Sequence, residues 1–189
     1  MRRIYVVAGL PRTGTSMMMR CIHESSALTL VGDRNIERLP VGPDGSIRPR
    51  TAEYDFNPYG VYEVERPPVW WALPDLSLIK RILTSSVIPP PFDGLSYFVC
   101  SMRRERDEVT ASWWRTFGSP FDTKRFELAE EMLDYMRDWG HAITEVDYNR
   151  TIEDPLKTFL HLEEEGWPID PRKAAVLVEP ALYRHRSSR

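Results

Sequence analysis

Residues 9–16, Gly9-Leu-Pro-Arg-Thr-Gly-Thr-Ser16 (GLPRTGTS), follow the apolar run Ile4-Tyr-Val-Val-Ala8 and lead into Met17-Met-Met-Arg-Cys-Ile22. The first run has strand length and β-branched content, and residues 15–24 suit a helix, so the loop is expected at a strand-to-helix turn. Two glycines spaced G-x-x-x-x-G at such a turn present backbone N–H groups and a positive helix end to an anion. Where nucleotide triphosphatases continue with Lys and then Ser or Thr, this chain reads Thr15-Ser16, and its cation stands upstream at Arg12. A short anion held by backbone amides, by the hydroxyls of Thr13, Thr15 and Ser16 and by one guanidinium suits this set better than a magnesium triphosphate. A glycine-rich turn that binds nothing is the alternative.

Working outward, 76–83 and 97–102 read as further strands, and 142–148 (AITEVDY) alternates like another. Helical stripes run through 105–117 (Val109, Trp113 and Thr116 or Phe117) and through 122–140 (Phe126, Ala129, Leu133, Met136). For the second, Asp122 is the expected N-cap, Phe121 and Phe126 are spaced as a hydrophobic staple, and Gly140 suits the far end. Asp154-Pro155 supplies an N-cap and a first-turn proline, with Leu156, Phe159 and Leu160 expected on one face. Residues 40–60 are dense in Pro, Gly, Asp and Asn and predict a long irregular loop over the site. Alternating strand and helix signals imply an α/β fold, three-layer α/β/α with a mostly parallel sheet.

The 189 residues, 42% hydrophobic, suffice for one well-buried domain spanning 1–189. A formal charge of −3 argues against a nucleic-acid polymer as partner. No segment reaches transmembrane length, and the apolar run after Arg2-Arg3 is too short for a secretory signal, so a cytoplasmic chain with no membrane partner is expected. Cys21 and Cys100 are expected as buried small hydrophobes. His23, His141, His161 and His185 lack ligand spacing, so no metal is implied.

The string PRTGTS after a strand resembles the loop of the sulfotransferases that use 3′-phosphoadenosine 5′-phosphosulfate (PAPS), whose pattern is Pro-Arg/Lys-Ser-Gly-Thr-Thr/Ser. In that family the loop cradles the 5′-phosphate side of PAPS and its cation faces the bridging oxygen of the leaving sulfuryl group. The resemblance implies Pro11, Arg12, Thr13, Gly14, Thr15 and Ser16 as donor-binding residues, with 3′,5′-ADP (PAP) as product. A second element is an Arg after a central strand with a Ser eight positions on, the pair that binds the 3′-phosphate. Arg104 and Ser112 have that spacing, and Arg103 is one step out of register. A solvated charge cluster over 103–108 is the alternative. The chain is similar to a bacterial-type branch of sulfotransferase-like domains over most of its length, through Asn57-Pro-Tyr-Gly-Val-Tyr-Glu-Val-Glu65, MRRERDEVTAS and Pro180-Ala-Leu-Tyr-Arg184. Tyr148 stands where the family has a strand-end Tyr that contacts adenine, and Asn149 replaces the usual Glu.

Sulfuryl transfer needs a base, cations for the developing charge, and exclusion of water. The family's Lys-Thr-His string is replaced by Lys80-Arg-Ile82, so the usual histidine base is absent while Lys80 can steady the sulfonate. A surface lysine capping a strand is the other role open to Lys80. Some relatives use a carboxylate just past the second strand, where Asp33 falls, with Glu37 a turn later. The family's Gly-rich, basic C-terminal loop is missing, and the tail 184–189 is expected to be disordered. Trp70, Trp71, Trp113, Trp114 and Phe117 could line an acceptor cleft or pack in the core. The expectation is a sulfotransferase that moves a sulfuryl group from PAPS to a hydroxyl or amine acceptor, small molecule, glycan or lipid. A small P-loop kinase and a catalytically silent nucleotide-binding module are the alternatives, and neither acceptor nor oligomeric state is legible.

Overall fold

The computed structural model describes residues 1–31, 70–83, 88–92 and 94–179. Strands β1 (Arg2–Gly9), β2 (Thr29–Leu30), β3 (Ser77–Ile82), β4 (Leu95–Arg103) and β5 (Ala142–Asp147) form one parallel sheet in the order β2-β3-β1-β4-β5. Helices α1 (Thr15–Glu24), α2 (Arg106–Phe117), α3 (Lys124–Asp138), α4 (Tyr148–Glu153), α5 (Pro155–Glu164) and α6 (Pro171–Val176) flank it, with a 3-10 turn at Trp70–Ala72. The α/β class and the layered arrangement match the expectation.

β1 is the middle strand and is buried on both faces, which is why Ile4 to Ala8 is continuously apolar instead of alternating. Its side chains divide by parity. Tyr5 and Val7 join Met18, Met19, Ile22, Leu78, Cys100, Phe159 and Trp167 in the core beneath α1 and α5. Ile4, Val6 and Ala8 join Ile79, Tyr97, Val99, Val109, Phe126 and Leu133 beneath α2 and α3. Burying each large aliphatic or aromatic side chain contributes about 1.5–3 kcal/mol, so the two cores fix the strand registers.

Helix ends follow local chemistry with some shifts from expectation. The N-cap of α3 is Thr123, one residue later than expected, although Asp122 Oδ1 still accepts from the Lys124 amide and the Phe121 and Phe126 rings pack 5.0 Å apart. At its other end Gly140 (φ 78) lets the Gly140 amide reach Arg137 O and the His141 amide reach Met136 O, the paired closing bonds of a Schellman turn. Asp154 caps α5 through the Lys157 amide, but the helix buries Phe159 and Leu162 and leaves Leu156 and Leu160 exposed. The apolar stripe thus lies one step around from the expected face. Tyr148 begins α4 instead of ending a strand, because Asp147 accepts from the Arg150 amide and closes the β5-to-α4 turn. Both cysteines are buried and unlinked, and burial pushes the Cys21 thiol up to about 12 and Cys100 higher still.

Candidate anion site

The loop after β1 lies at the carboxyl end of the sheet, between the ends of β3 and β4, the place where open α/β sheets take ligands. Its turn is closed internally. Thr13 donates both its amide (3.3 Å) and its hydroxyl (2.8 Å) to the Leu10 carbonyl, and Arg12 adopts a left-handed φ of 73. Gly14 (φ 92) is the N-cap of α1 and supplies no side-chain cap, so the first-turn amides of the helix have no intrahelical acceptor.

Both glycines answer to packing as well as to any anion. A Cβ at Gly9 would come within 2.6 Å of Thr13 Oγ1 and 3.1 Å of the Met102 carbonyl. One at Gly14 would lie 2.2 Å from the Tyr148 ring, so that ring rests flush on the loop. Burial raises the Tyr148 phenol, against the lowering influence of Arg104 and Arg12, which leaves it neutral.

Residues from three elements converge on the turn. From α2, Ser112 Oγ accepts from Arg12 Nε at 3.0 Å, and from the turn just after β4, Arg104 Nη1 donates to the Arg12 carbonyl at 3.0 Å. From β3, Lys80 Nζ donates to Ser16 Oγ at 2.9 Å. Lys80 is only 4% exposed, so it is not a surface strand cap. It stands on the α1 side of β3, in register with Val7. Ser112 is 1% exposed, although it lies on a helix that begins among charged residues. Three cations in one corner, with hydroxyls and a helix N-terminus, form a setting for an anion with more than one charged end.

Arg103 and Arg104 part company. Arg103 pairs with Glu130 of α3 and with Glu145 of β5, and these carboxylates hold it more firmly protonated. Arg104 turns to the loop, with its guanidinium 4.6 Å from the Tyr148 ring centroid. Hence 103–108 is tied by salt bridges, as in the alternative reading, but the pair of Arg104 is buried instead of solvated. Two contacts went unread in the sequence. Glu108 Oε2 accepts from Arg104 Nε at 3.0 Å, and Asn149 Nδ2 donates to Glu108 Oε1 at 3.4 Å. The i,i+4 spacing of Arg104 and Glu108 on a helix start was the available signal.

Other candidates fall elsewhere. Asp33, Glu37, the 40–60 loop, the Asn57–Glu65 string, Pro180 to Arg184 and the tail 184–189 lie outside the described residues. Trp70 is core, Trp113 packs on Phe117 (4.1 Å) and Phe121, and Trp71, Trp114 and Phe117 are exposed. A cavity of about 70 Å³ lies behind the loop, lined in part by Leu10, Thr13, Ser101, Arg104 and Glu130. Among the described residues no group of His, Cys, Asp and Glu could hold a metal ion, and no helix is long and apolar enough to cross a membrane. Comparison with family models, with curated proteins and with solved structures finds no match to this chain.

Proposed function

We propose that the chain is a sulfotransferase that passes a sulfuryl group from PAPS to a hydroxyl or amine acceptor. The observation that carries the reading is the convergence of Arg12, Arg104 and Ser112 on one side of the loop and Lys80 on the other. On this reading the amides and hydroxyls of Thr13 to Ser16 hold the donor's 5′-phosphate, Arg104 and Ser112 its 3′-phosphate, and Tyr148 its adenine end. As the acceptor's oxygen or nitrogen bonds to sulfur, the bond from sulfur to the bridging oxygen breaks and 3′,5′-ADP leaves. Arg12 and Lys80 neutralise the charge that gathers on the bridging oxygen and sulfonate. The acceptor's proton passes to a base, a role for which Asp33 is the candidate. Thr15 at the position of the triphosphatase lysine speaks against a kinase.

Thermal stabilisation tests the reading through linkage of binding to folding. 3′,5′-ADP without metal is expected to raise the melting temperature, and magnesium ATP to raise it less. Stabilisation by magnesium ATP alone would overturn the proposal in favour of a kinase. Binding of 3′,5′-ADP with no transfer from PAPS to a broad acceptor panel would favour the silent module.

A further inference from the structure

We infer that Glu108 is a specificity-determining positioning residue: it sets Arg104 in the one orientation that recognises a second, remote phosphate on the ligand. The inference rests on the proposed function and deepens it. Arg104 follows the last residue of β4 and has a long side chain whose rotamer freedom must be lost before it can serve as a fixed fork. Three of its contacts remove that freedom. Glu108 takes its Nε–H, the Arg12 carbonyl takes an Nη1–H, and the Tyr148 ring supports its flat face.

Glu108 is the least replaceable of the three. The Arg104 and Glu108 side chains are 6% and 4% exposed, and a buried ion pair of this kind is weak as a source of stability because both ions have left water. Its use is in geometry. Glu108 is itself fixed, since it lies in the first turn of α2 and Asn149 donates to its other oxygen. A carboxylate suits both contacts at once. In a glutamine the one oxygen can accept from Arg104 Nε while Asn149 turns its amide to accept from the other end, but the negative charge that steadies the guanidinium is gone. The same network extends to the loop, because Arg104 holds the carbonyl of Arg12 while Ser112 holds the Arg12 guanidinium. A ligand with only a 5′-phosphate meets Arg104 indirectly, through the loop that its contact with the Arg12 carbonyl supports. A ligand with a 3′-phosphate as well meets it directly.

The test is calorimetric binding of 3′,5′-ADP and 5′-AMP to wild type, Glu108→Gln, Arg104→Lys and the double variant, with melting curves as a check on folding. Wild type is expected to prefer 3′,5′-ADP. In Glu108→Gln the preference should fall about tenfold or more, the worth of one charge-assisted hydrogen bond, because 3′,5′-ADP loses more affinity than 5′-AMP. In the Arg104→Lys background, Glu108→Gln should cause no further fall, because its effect passes through the arginine fork. A general loss of packing would instead weaken both ligands together and persist in that background, and either result overturns the inference. So does an undiminished or strengthened preference in Glu108→Gln, which would make the carboxylate a competitor of the ligand. Wild type with no preference for 3′,5′-ADP overturns the functional proposal and this inference with it, whereas loss of the inference alone leaves wild-type preference intact.

Discussion

Replacing Gly14 by alanine strains two things at once, and the structure separates them. The backbone there sits at φ 92, and an alanine held in the left-handed region costs about 1–2 kcal/mol. Its Cβ would also stand 2.2 Å from Tyr148 Cδ2, and that ring is buried between the loop and Arg104. Displacing it is an overpacking change worth about 1–3 kcal/mol. The sum, about 2–5 kcal/mol, corresponds to a fall in melting temperature of roughly 5–15 °C for a chain of this size. Gly140 is the control, because it has φ 78 and an added Cβ meets nothing within 4 Å. Gly140→Ala should show the backbone part alone, about 1–2 kcal/mol. Scanning calorimetry on both variants, and on Gly14→Ala in a Tyr148→Ala background, resolves the parts. In that background Gly14→Ala should cost no more than Gly140→Ala. If Gly14→Ala melts with wild type, or costs only what Gly140→Ala costs in the native background, the close approach of ring and loop is wrong.

Arg12→Ala should lower transfer from PAPS by about a hundredfold or more, the usual worth of one donor to a developing oxyanion, and should leave the fold intact; an unchanged rate in a radiolabel assay removes Arg12 from the mechanism. His141 gives a pH signature. Burial lowers its pKa below the usual 6.5, against the raising influence of the Ile88 and Pro89 backbone, so the unfolded chain takes up a proton before the folded one does. Its contribution to stability is therefore complete above pH 6.5 and is lost as pH falls from there through the folded pKa. Urea midpoints between pH 7.5 and 5 should fall less in His141→Phe than in wild type, and parallel curves would refute this.

The strands were legible because a central parallel strand is apolar on both faces, as Ile4 to Ala8 is, and the loop because its glycines interrupt that run. What the sequence left open was direction. Arg103 and Arg104 are adjacent and equally basic, and only the parity of β4 sends Arg103 with Ser101 toward Glu130 and Glu145, while Arg104, one residue on, turns to the loop. The burial of Lys80 was hidden for a similar reason, since a lysine near a strand end reads as solvated until the start of α1 is known to cover it. The stripe of α5 was misjudged because Leu156, Phe159, Leu160 and Leu162 offer two overlapping apolar faces, and the choice between them belongs to the packing against Tyr5 and Trp167. Glu108 and Asn149 come together from positions 41 residues apart, a meeting that no local pattern announces.

The strand that feeds the loop stands third among five, with a full neighbour on either hand. Fraying at the margins, at short β2 or at outermost β5, therefore leaves the hub of the molecule undisturbed. Substitutions at the rim therefore leave the strand that sets the glycine turn in place.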